Sequence, residues 1–232
     1  SRATHTVLNI GGANVPRVMG DLALESTINA DTLSQLGYQY FKSEDKWGIG
    51  DFACDYIFIN KMEINFELPG TLGVVQAYSV WKEKRKQQHY PQINSEEYLN
   101  GEDFHSKLNF IYLTLPDLSN ELIEKTKKDP TTVLLIDTYN EHGMAEQRQI
   151  FSKLLAQRCT TPVIIGRYYG DLPIENLQLY SATDLGSLLI DGFGDGVFLA
   201  AEDCGTPEQV NQTAFGILQA SRTRISKTEY IS

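Results

Sequence analysis

Cysteine is scarce: Cys54, Cys159 and Cys204 are the whole set, and they lie far apart. An odd, dispersed trio excludes a disulfide framework, fits a reducing compartment and is too scattered for a zinc site. No apolar run approaches the ~18 residues that a membrane-spanning helix needs. The N-terminus has no secretory-signal pattern. Basic residues are few: 20 Lys and Arg stand against 30 Asp and Glu, for a net charge of -10. Phosphate backbones require a basic face, so a nucleic-acid partner is excluded. Of the 4 histidines, none has ligand spacing to another His or Cys. Repeats beyond a strand–helix rhythm and low-complexity tracts are also absent.

What is present suffices for a core. The 232 residues are 41% hydrophobic and 22% charged, the composition of an ordered domain rather than a disordered one. One domain over residues 1–232 is expected. The chain opens on Ser1 rather than Met, which suggests a piece of a longer protein.

The second half carries the clearest pattern. FIYLTL at 110–115, TVLLID at 132–137, PVII at 162–165 and the segment 196–201 read as strands. Near-continuous apolar character marks strands covered on both faces. Helices are expected over 119–128, 144–157, 176–189 and from about 206 to 224. Thr206-Pro207-Glu208-Gln209 is a capping box with proline at the first helical position. Regular alternation of this kind means parallel strands with right-handed crossovers. The predicted fold is α/β, a TIM-barrel-like (β/α)8 fold, whole or degenerate, with a doubly wound parallel sheet as the alternative. In the first half, 6–10, 15–21 and 56–60 read as strands, and Asn29 as the N-cap of a helix over 30–36. The run 72–81 fits either strand or helix. Residues 82–105 are polar and charged and read as a surface excursion, with His89 and His105 in or beside it.

Candidate chemistry falls at two ends of these units. The loop Asp191-Gly192-Phe193-Gly194-Asp195-Gly196 pairs glycines with acids. It follows a helix and leads into a strand, the reverse of a phosphate cradle. That order puts it on the N-terminal face of a barrel, where residues serve stability. At the opposite strand ends lie Asp137, Glu141, His142 and Arg167. A barrel enzyme could use the first three as acid or base and the arginine to hold an anion. Alternatively, Asp137 caps the following turn, and Glu141 and His142 are solvated loop residues.

The C-terminal fifty residues add a resemblance. LGSLLIDGFGDGVFLAA at 185–201 is followed by FGILQASRTR at 215–224 and KTEYIS at 227–232. This order is similar to the large, three-domain form of 4-hydroxy-3-methylbut-2-enyl diphosphate synthase. There a segment like GGLLVDGLGDGV leads to LLQ-x-x-R-x-R-x-x-KTEY-x-S and then to Cys-Pro-x-Cys-Gly. The motif positions here are Asp191, Gly192, Gly194, Asp195, Arg222, Arg224, Thr228 and Glu229.

The resemblance implies a parent that reductively opens 2-C-methyl-D-erythritol 2,4-cyclodiphosphate in non-mevalonate isoprenoid biosynthesis. It implies a 4Fe-4S cluster in a C-terminal domain, a ferredoxin or flavodoxin donor, and substrate bound in an N-terminal barrel. A bacterial cytoplasm is the implied setting, with a plastid as the alternative. This chain resembles the domain inserted between those two, which would be its partners. None of its cysteines lies in a Cys-Pro-x-Cys setting, so no cluster ligand, metal or cofactor is expected within it. The family's catalytic barrel ends in a pattern like GDT-x-R-V-S-L. Phe198 stands here at the Arg position and Ala200 at the Ser position, which removes a bidentate phosphate donor. The expectation is a spacer domain without catalytic residues of its own.

Overall fold

The computed structural model describes residues 1–221, 223 and 224; Arg222, Thr228 and Glu229 lie outside them. The strands are β1 (Arg17–Asp21), β2 (Tyr38–Phe41), β3 (Lys46–Ile49), β4 (Tyr56–Asn60), β5 (Gly73–Ala77), β6 (His89–Asn94), β7 (Asn109–Leu113), β8 (Thr132–Ile136), β9 (Val163–Gly170) and β10 (Gly196–Glu202). The α-helices are α1 (Tyr78–Lys84), α2 (Ser95–Asn100), α3 (Asn120–Lys127), α4 (Gly143–Ala156), α5 (Ile174–Ile190) and α6 (Pro207–Ala220).

Eight strands form a closed barrel in the order β1-β10-β9-β8-β7-β6-β5-β4. Every pair around it is parallel, and β1 pairs with β4 to close the ring. Closure excludes the doubly wound sheet. The helical shell is the degenerate part. β1 reaches β4 through a 3-10 helix (Ala30–Leu36) and the β2–β3 hairpin. No helix separates β4 from β5.

The core has two layers, set by strand alternation. Leu134 and Ile136 face the helices, alongside Ile150, Phe151 and Leu154 of α4. Val133 and Leu135 face the barrel interior with Met19, Tyr56, Val75, Phe110 and Ile164. The Thr206 box forms as expected, its hydroxyl accepting from the Gln209 N–H at 3.2 Å. Asn29 caps its helix through Thr32, although that helix is 3-10.

Two expectations are corrected and one ambiguity is resolved. Residues 6–10 form no strand. Val7 and Ile10 bond each other across a tight turn, and both side chains sit beneath the barrel interior. The run 72–81 is both alternatives in succession, β5 and then α1. The polar segment 82–105 is not an excursion, because it contains the barrel strand β6 and α2. In β6 burial alternates, with His89, Pro91 and Ile93 buried and polar or aromatic residues between them. A strand built on that alternation shows no apolar run. Its helix did leave a signal, since Asn94 and Glu97 form a reciprocal capping box.

Candidate functional site

The C-terminal ends of the strands surround a cavity of about 1090 Å³. Asp137, Glu141, His142 and Arg167 all line it, so the fold brings the four sequence candidates to one mouth. Asp137 follows β8, whose five residues are all buried. Its Oδ2 accepts from the Tyr112 hydroxyl at 2.6 Å and its Oδ1 from the Thr138 N–H at 2.8 Å. Burial pushes the Asp137 carboxyl above its ordinary value, against the opposing pull of those two bonds and of Arg167.

Arg167 projects from β9 and is 6% exposed. Its Nη2 meets Asp184 Oδ2 of α5 at 3.0 Å, and the guanidinium lies 5.6 Å from the Tyr169 ring centre. The Tyr169 hydroxyl also donates to Asp184. Among the described residues Arg167 Nη1 is buried without a hydrogen-bond acceptor, tucked against Gly143 at the start of α4. A Cβ on Gly143 would meet that nitrogen at 2.4 Å and Thr138 Cγ2 at 2.2 Å. Glycine is therefore required where the loop passes over the arginine.

The rim is aromatic. Tyr139 is 84% exposed and its hydroxyl lies 3.1 Å from that of Tyr112. Tyr168 donates to Glu202 at 2.7 Å, and that bond chiefly pushes its pKa up to about 12. Glu141 and His142 are exposed on the loop, and among the described residues neither makes an ion pair with the rest of the site. Phe198 and Ala200 line the same cavity. The Phe198 ring stacks on Phe58, centroids 5.7 Å apart and planes 10° apart, so the interior beneath the mouth is apolar.

Asp184 and the tyrosines were not singled out in the sequence. Asp184 sits in the middle of a helix, and only the register of α5 on β9 brings it to Arg167. Apart from the exposed Glu141, the carboxylates at the mouth are thus engaged by neighbouring hydroxyls, amides or the Arg167 guanidinium. Asp21 is the least engaged of the buried ones. It accepts from the Ala23 N–H at 3.0 Å, and burial raises its pKa.

The acidic glycine loop lies on the opposite face, before β10. Asp195 accepts from the Val163 N–H at 2.9 Å and from Thr4 Oγ1 at 2.8 Å; burial raises its pKa. Gly194 has φ 93°, and a Cβ there would meet Ile165 Cδ1 at 2.6 Å. Asp191 pairs with Arg148 at 2.6 Å beside Gly192, which terminates α5. Arg224 Nη1 reaches Asp55 Oδ2 at 2.6 Å and the Pro16 carbonyl at 3.1 Å, fastening the segment after α6 to the barrel floor. Asp191, Asp195 and Arg224 thus each bond to another part of the fold. No group of three or more His, Cys, Asp or Glu residues suited to a metal occurs among the described residues. Nor is any described helix long and apolar enough to cross a membrane.

No protein-family model matches the chain. Individual proteins do. A 4-hydroxy-3-methylbut-2-en-1-yl diphosphate synthase (flavodoxin) of Parabacteroides distasonis is 40% identical over 189 residues, 79% of this chain and 30% of that protein. By sequence the chain belongs to this synthase family, as a segment of it. The synthase of Phocaeicola vulgatus is 29% identical over 231 residues, all of this chain and 34% of that protein. A chloroplastic, ferredoxin-named synthase of Arabidopsis thaliana is 32% identical over 120 residues, 48% of this chain and 16% of that protein. The chain spans about a third of the length of the first two synthases.

Proposed function

We propose that this barrel is an inserted spacer domain of a three-domain 4-hydroxy-3-methylbut-2-enyl diphosphate synthase, and that it performs no chemistry itself. On this reading the parent reduces the cyclodiphosphate. Its 4Fe-4S cluster and its substrate site lie in neighbouring domains, and a flavodoxin or ferredoxin supplies electrons. The barrel sets the distance and angle between the cluster domain and the catalytic barrel, so that one chain closes on its own substrate.

The chemistry of the mouth carries this reading. A diphosphate site needs unpaired cationic donors. Here Arg167 is paired with Asp184, Asp137 adds negative charge nearby, and a phenyl ring occupies position 198. A phenyl group cannot donate to phosphate, and anions are repelled from a mouth with more carboxylates than guanidinium groups.

Two measurements test it. A parent reading frame that continues past Ser232 into Cys-Pro-x-Cys would support the insertion, and a stop codon there would overturn it. In the full-length protein, Asp137→Asn and the pair Glu141→Gln, His142→Ala are expected to leave kcat and KM within about twofold of wild type. A loss of about a hundredfold in kcat, the size of a missing general acid or base, would make the mouth an active site instead.

A further inference from the structure

The helices over β9 and β10 differ from the rest of the shell. α3 carries Glu121, Glu124, Lys125 and Lys127, and α4 carries Glu146, Arg148 and Lys153. Over its 17 residues α5 has only Glu175, in the first turn, and Asp184, which faces Arg167. α6 has only Glu208, again in the first turn. Neither helix holds a lysine or an arginine. In a chain with 22% charged residues, such a face has the charge depletion of an interface core.

Its shape fits a helix. Leu179, Thr183, Gly186 and Ile190 follow one another at steps of four, three and four along α5, the seam spacing by which one helix packs on another. Leu179 is 64% exposed and Ile190 70%. A methyl group added at Gly186 would meet nothing within 4 Å. Beside this stripe, a groove of about 430 Å³ runs between α5 and α6, lined in part by Ala182, Gly216 and Ala220. Small residues in a groove allow a second helix to approach closely.

We propose that the α5–α6 face docks a helix from the shell of a neighbouring domain of the same longer chain. The occupant is chosen on two grounds. This chain matches only 30% and 34% of two relatives, so most of such a protein lies outside it, and a rigid spacer must be held against that remainder. The charge of -10 also makes a second copy a repelled partner. The proposal rests on the spacer reading.

The test uses the full-length protein. Leu179→Glu with Ile190→Glu puts two carboxylates into the seam at positions that are solvent-facing within the domain. Hydrogen exchange at β9 and β10 verifies that the barrel is intact. The expected result is a larger radius of gyration by small-angle scattering and turnover lowered at least about tenfold, as for a lost interface anchor. Gly186→Leu, whose Cβ would have no neighbour within 4 Å in the domain, gives the same outcome by steric means, with the same hydrogen-exchange check of the barrel. Leu155→Glu, on the exposed side of α4, changes neither readout. Unaltered scattering and turnover in both seam variants would overturn the docking face; the spacer reading, tested separately at the mouth, would stand. A particle mass that halves on substitution would show that the face joins two copies and overturn the assigned occupant.

Discussion

Asp137 sits where a barrel enzyme keeps its acid or base, yet both of its oxygens accept internal hydrogen bonds. Burial holds its folded-state pKa above the ordinary 3.8. A group raised in this way contributes stability that is complete below the unfolded pKa and lost as pH rises through the folded one. Asp137→Asn keeps the Thr138 bond, and the Tyr112 hydroxyl can turn its proton to Tyr139. The variant is therefore expected to match wild type below pH 3.8 and to become the more stable of the two as pH rises toward neutrality. Urea midpoints at a series of pH values check this; a loss of stability at every pH would show that the carboxylate is needed for its bonds. The positions of Asp137 and Arg167 were legible in the sequence, because residues that close apolar strands fall at the mouth. Their state was not. Tyr112 and Asp184 reach them from other elements, and pairing across elements leaves no local pattern.

Elements were legible in proportion to how uniformly they are buried. β8 is buried at every position and reads as a strand directly. β6 alternates and carries His, Gln and Asn, so the same architecture is written there in polar residues. The segment below the barrel misled for the opposite reason: Val7 and Ile10 are apolar but belong to a turn, with Leu8 at φ 54° between them. That turn acts as a plug. Val7 is 1% exposed and Ile10 0%, and both pack on the inward-facing layer of the strands. Arg2 anchors the segment, with Nη2 donating to the carbonyls of Cys159 at 2.8 Å and Thr161 at 2.5 Å. Ile10→Ala should cost about 2–5 kcal/mol, the range for a buried isoleucine truncated at a site that cannot collapse. The barrel strands limit collapse here. Chemical denaturation measures the loss; a change under about 0.5 kcal/mol, typical of surface sites, would show that the plug is not part of the cooperative fold.

At the scale of the molecule, the β-α rhythm fixed the class of fold, but closure rests on the pairing of β1 with β4, a contact no periodicity records. The net charge is also a whole-molecule property, and it bears on the electron donor. The relatives' names specify a flavodoxin or a ferredoxin. A carrier with net negative charge meets a domain of charge -10, and like fields lower the rate and affinity of encounter. On the spacer reading, the donor docks elsewhere in the parent. Titrating an acidic flavodoxin into this 232-residue domain at about 10 mM ionic strength, where the screening length is about 30 Å, should give no saturable heat. Raising the salt removes repulsion and should still reveal no complex, because on the spacer reading the donor docks elsewhere in the parent. Binding that tightens as salt is lowered would require an attractive basic patch. It would place donor recognition on this barrel and replace the spacer with a docking module.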